Sequence, residues 1–159
     1  MSVMRRNQQE EFWDYWGDRF LRDRNQYITP LNESVQEAVD DVGFSDCCLD
    51  WIRTVDMWEW VKANVDYELS REWKEPSETL REGTGDCEDL DFLLASMMLN
   101  DGISGFELVI GYIIHPDGER EEHTWLRMDD MVIEPTSLPE RMDGLKYQEV
   151  KSFVIRMER

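Results

Sequence analysis

Apolar positions follow three regimes along the chain, and each predicts a different kind of element. From Gln8 to Asn25, Phe12, Trp13, Trp16, Phe20 and Leu21 recur at close to every fourth residue, the spacing of one buried helical face. Thr29-Pro30 interrupts that helix. Asn32 or Ser34 then caps a short helix that runs to Val42 and stops at Gly43. Ser45 is placed as the N-cap of a longer helix to Val65, with Trp51, Val55 and Trp58 on one side. Large aromatics at this spacing read as core rather than as a ligand box. From Tyr67 to Gly85 the periodicity disappears, and Tyr67 to Leu80 reads as a long loop or a set of short turns. Gly83-Thr84-Gly85-Asp86 leads into Cys87 and a strongly apolar helical run, Leu90 to Leu99, closed by Asp101-Gly102.

After Gly105 the period changes to that of strands. Phe106 to Ile114 is a β-rich run ended by the turn His115-Pro116-Asp117-Gly118. Glu121 to Met128 and Met131 to Glu134 form a hairpin around Asp129-Asp130, and Tyr147 to Met157 is a last strand. Helices first and an antiparallel sheet second is the α+β class. No repeat or linker divides the chain, so residues 1–159 are expected to form one domain, with 1–50 a helical N-terminal extension and 51–159 the core.

Composition narrows the partners. The chain has 159 residues with 36 acidic and 17 basic side chains, a net charge of −19, which repels nucleic acid and anionic membranes. No 18-residue uncharged apolar run is present, so no transmembrane helix is expected. Two arginines near the start are followed by no apolar segment, so no signal peptide is expected and a cytoplasmic location follows. Only four basic residues are lysine (Lys62, Lys74, Lys146 and Lys151). Many carboxylates with arginine-dominated cations match a halophilic, high-salt cytoplasm, and an ordinary acidic mesophilic protein has the same arithmetic. Cys47, Cys48 and Cys87 do not suggest a disulfide framework, and the adjacent pair reads as small core residues. With only His115 and His123 available, no metal site and no cofactor is expected.

One cysteine, one histidine and one carboxylate stand out. Cys87 lies where a glycine-rich turn meets a helix N-terminus, whose free N–H groups and dipole favour a thiolate. If Asp129-Asp130 is a two-residue turn, Met128 pairs with Met131, Arg127 with Val132, Leu126 with Ile133 and Trp125 with Glu134. Leu126, Met128, Met131 and Ile133 then form the core face, while His123, Trp125 and Glu134 share the other. In that register Glu134 can orient His123, and the three groups complete a nucleophile, a base and an orienting acid. Asp86, Glu88, Asp89 and Asp91 crowd the thiol and oppose its ionisation. Asp86 and Asp89 either cap the helix or help attract a cationic substrate. The Cys87 backbone N–H and the Trp73 indole are candidate oxyanion donors.

The segment Trp73 to Leu99, WKEPSETLREGTGDCEDLDFLLASMML, resembles the nucleophile region of transglutaminase-like cysteine peptidases. His123-Thr124-Trp125 resembles their His-x-Trp strand, and Ile133-Glu134-Pro135-Thr136 the strand that carries their third residue, with Glu134 where Asp is usual. The resemblance implies a papain-like core, with the nucleophile helix packed on an antiparallel sheet. It also implies acyl transfer on the amide or isopeptide bond of a peptide or protein substrate. Cys87, His123 and Glu134 would be catalytic, with Trp73, Trp125, Asp86 and Asp89 near the substrate. The other reading is a catalytically silent domain of the same fold that serves binding or assembly, for example in a virion or a larger complex.

Overall fold

The computed structural model describes residues 3–70, 72–136 and 146–157, with side chains from residue 11 onward. Its core is built around one helix. The element α5 (Cys87–Asn100) is buried on nearly every side, because Leu90 to Leu99 carries apolar residues all round rather than on one stripe. Helices α1 (Val3–Tyr27), α2 (Glu33–Asp41), α3 (Asp50–Asn64) and α4 (Pro76–Glu82) precede or surround it. A four-stranded antiparallel sheet closes the other side. Its strands are β3 (Phe106–Ile114), β4 (Arg120–Met128), β5 (Met131–Ile133) and β6 (Lys146–Ile155), in the order β5-β4-β3-β6. Two short strands, β1 (Asp66–Tyr67) and β2 (Thr84–Gly85), pair in parallel and hold the turn before Cys87. The α+β class and the helix-on-sheet arrangement match expectation.

The N-terminal stripe is core. Trp13, Trp16 and Phe20 are buried, and α1 shares one apolar cluster with α5 and the sheet. Phe20 stacks on Phe92 at 5.9 Å, Tyr27 on the same ring at 5.2 Å, and Trp16 meets Trp73 at 4.7 Å. Phe12 and Leu21, the outer members of the stripe, are exposed. Asn32 is the N-cap of α2, accepting from the N–H groups of Ser34 and Val35.

Three expectations change. The third helix starts at Asp50 rather than Ser45, because the Ser45 side chain and N–H bind Asp56 inside that helix instead of capping its start. Cys47 and Cys48 therefore lie in the connection, half-buried and exposed, and are not core. The unpatterned stretch after Tyr67 contains α4, a helix too short to show a period. Its start is nonetheless written in the residues: Pro76 opens the first turn, and the Glu78 carboxylate accepts from the Glu75 N–H at 3.5 Å.

The hairpin has the expected register, Leu126 opposite Ile133, Arg127 opposite Val132 and Met128 opposite Met131. Asp129 and Asp130 both take positive φ, 49° and 66°, as a two-residue turn matched to strand twist requires. Leu126 and Ile133 are fully buried, but Met131 is exposed at the sheet edge, so the core face is shorter than the alternation suggests.

Candidate active site

Cys87 is the first residue of α5, and Asp86 is its N-cap. The Cys87 N–H donates to Asp86 Oδ1 at 2.7 Å, and the Asp86 N–H donates to Asp89 Oδ2 at 3.0 Å, a reciprocal capping pair. Asp86 also accepts from the Ser70 N–H and Asp89 from the Lys74 N–H, at 3.2 and 2.8 Å. Both carboxylates thus tie the preceding loop to the helix start, which is the capping role. The Cys87 N–H is consumed there, so the expected oxyanion donor is already engaged.

The hairpin delivers the other two groups. His123 and Glu134 are both buried, at 6% and 1% exposure, and His123 Nε2 lies 2.5 Å from Glu134 Oε2. The second Glu134 oxygen accepts from the N–H and hydroxyl of Thr136, at 3.2 and 2.7 Å. Its backbone carbonyl accepts from the Trp58 indole at 2.8 Å. These contacts fix the carboxylate, and its bond to Nε2 leaves Nδ1 as the ring's other nitrogen. Burial works to lower the His123 pKa, but the hydrogen bond and charge of Glu134 outweigh it, so the imidazole holds its proton more tightly than usual.

Cys87 and His123 line one cavity of about 170 Å³, together with Asp86, Glu88 and Thr124 and the apolar side chains of Phe12 and Trp13. The thiol's hydrogen bond among the described residues goes to Glu88 Oε2, at 3.4 Å, and not to the imidazole. Burial is the largest cause pushing the thiol well above its ordinary range. Glu88 is the foremost of the acidic neighbours that add to it, while the Thr124 hydroxyl works the other way. Burial first, with the acidic neighbours added, therefore keeps Cys87 as a thiol despite its place at a helix N-terminus.

Three of the proposed contact residues lie elsewhere, and Asp89, buried and engaged by the Asp86 and Lys74 N–H groups, is one of them. Trp73 packs among Trp16, Tyr27 and Phe92, with the Arg19 guanidinium 4.1 Å from its ring centre, so its ring belongs to the aromatic core and not to the cavity wall. Trp125 is buried against Tyr147 at 4.9 Å and likewise does not line the cavity. Sequence reasoning missed Phe12 and Trp13 as cavity walls, because only the tertiary fold brings α1 over the start of α5. It also missed the bond between Thr124 and Asp91, for which an acid inside an otherwise apolar helical run was the available signal. His115 pairs with Glu121 on the surface at 2.9 Å, away from the chemistry. Asp86, Cys87 and Glu88 are the one group of the described residues whose ligand atoms, within 4.8 Å of one another, cluster as a metal requires. All three are already bonded among themselves. No helix of the described residues is long and apolar enough to cross a membrane.

No family model matches the chain, and no curated protein matches it. Among solved structures, it is similar to a candidate cysteine protease from Cytophaga hutchinsonii, with a TM-score of 0.55 and 15% identity. The match covers 80% of this chain and 44% of that one, so the chain spans under half the length of the protein it resembles. The likeness is one of fold.

Proposed function

We propose that this protein is a cysteine-dependent amidase of transglutaminase-like type, a peptidase or isopeptidase acting on peptide or protein substrates. The observation that carries the reading is the buried His123–Glu134 pair sharing a cavity with a cysteine at a helix N-terminus. The Cys87 sulfur attacks the amide carbonyl carbon as His123 takes the thiol proton, and the imidazolium is stabilised by Glu134. His123 then returns the proton to the leaving amine as the C–N bond breaks, giving an acyl-Cys87 thioester. Water, activated by His123, releases the acid; an amine in its place gives transamidation. The raised proton affinity of His123 suits it to this base role. Residues 1–50 belong to the same catalytic unit in this reading, since α1 supplies both core and cavity wall.

The silent-domain reading has one observation in its favour: the thiol bonds to Glu88 and the Cys87 N–H to Asp86, so neither is yet aimed at a substrate. Alkylation separates the two. An active site requires Cys87 alkylation by iodoacetamide to depend on the imidazole, so His123→Ala is expected to slow it by about 10²-fold. A Cys87 rate indifferent to His123 favours the silent domain.

A further inference from the structure

Asp91 lies one helical turn after Cys87 on α5, so the two side chains share a face. It is fully buried in a run, Leu90 to Leu99, that is otherwise apolar but for Ser96. One oxygen, Oδ2, shares a hydrogen bond of 2.5 Å with Thr124 Oγ1, and the other, Oδ1, has no partner among the described residues. The titratable groups facing it among the described residues are Cys87, Glu88 and Asp89 on its own helix, Glu134 beyond β5 and Tyr147 on β6, none of them a cation. A buried carboxyl with a bare oxygen and like charges around it neutralises rather than stay ionised, and burial followed by Glu134 pushes Asp91 well above the carboxylate range.

Protonation reverses what Thr124 can do. An ionised Asp91 only accepts, and it consumes the single hydrogen of the Thr124 hydroxyl. A carboxyl protonated on Oδ2 donates to Thr124 Oγ1, and the threonine hydrogen is then free to turn toward the Cys87 sulfur, with which Thr124 lines one cavity. We propose that Asp91 is a positioning residue for the nucleophile: in its protonated form it donates to Thr124 and thereby aims the Thr124 hydroxyl at the Cys87 sulfur. The same bond joins α5, which carries Cys87, to the residue beside His123 on β4. This inference rests on the reading of Cys87 as nucleophile.

The test is the pH profile of Cys87 alkylation by iodoacetamide, resolved by mass spectrometry, in the full chain and in Thr124→Val and Asp91→Asn. The threonine variant keeps the shape and loses the hydroxyl, so its profile should move about one unit to higher pH, a tenfold slower reaction at fixed lower pH. The asparagine amide donates to Thr124 as the protonated carboxyl does, so Asp91→Asn should keep the wild-type midpoint. A merely structural contact leaves both midpoints unmoved in variants whose melting shows them folded. An unmoved Thr124→Val profile, or an Asp91→Asn profile moved to lower pH as loss of an ionised neighbour requires, overturns the inference while His123→Ala still slows Cys87. A wild-type Cys87 whose alkylation is indifferent to His123→Ala removes the nucleophile reading and this inference with it.

Discussion

Glu88 accepts the Cys87 thiol at 3.4 Å, so its carboxylate lies against the sulfur. It is the foremost charged neighbour holding the thiol proton in place, after burial itself. Removing that charge should lower the thiol pKa, since a nearby anion disfavours a second one. Glu88→Gln is therefore expected to move the Cys87 alkylation profile to lower pH and to speed the reaction at neutrality by about tenfold, the equivalent of one pKa unit. An unchanged or slower reaction contradicts this account of the resting thiol. The acidic turn was legible as a problem in the sequence, where Asp86, Glu88, Asp89 and Asp91 bracket Cys87. Their separate roles were not, because capping, thiol binding and burial beneath Thr124 depend on which way each side chain turns.

At the scale of elements, the hairpin was readable because a two-residue turn fixes register, and register fixes which side chains share a face. That is why His123 and Glu134 could be paired in advance, while α4 escaped: seven residues show no period, and only the Glu75-Pro76 start marks it. The contribution of α1 to the cavity was illegible, since no local pattern encodes a contact between Phe12 and a helix that begins at Cys87. The hairpin depends in turn on β3. Gly111 lies opposite His123, at a bulge against β6 where an added Cβ would come within 2.0 Å of the Gln148 carbonyl oxygen. Gly111→Ala must push β6 away or shift β3. It is expected to cost about 1–3 kcal/mol in chemical denaturation and to lower activity through His123. A variant as stable as wild type contradicts the close approach.

Across the whole molecule, a charge of −19 on 159 residues means that folding gathers carboxylates against their mutual repulsion. Few of them are compensated by lysine, and the apolar core must hold the fold against that field. Salt at 1 M shortens the screening length to about 3 Å and relieves most of it. The melting temperature is expected to rise by about 5 °C or more between low salt and 1 M KCl, and a flat or falling curve contradicts a fold limited by surface repulsion. Activity should therefore be sought at high salt as well as low. The measurement closest to the central claim is mass spectrometry of products after wild type and Cys87→Ala are each incubated with a library of peptides and isopeptides at both salt concentrations. The account predicts cleaved or amine-exchanged products from wild type and none from Cys87→Ala. Products of equal yield from both proteins, or none from a folded wild type, contradict it.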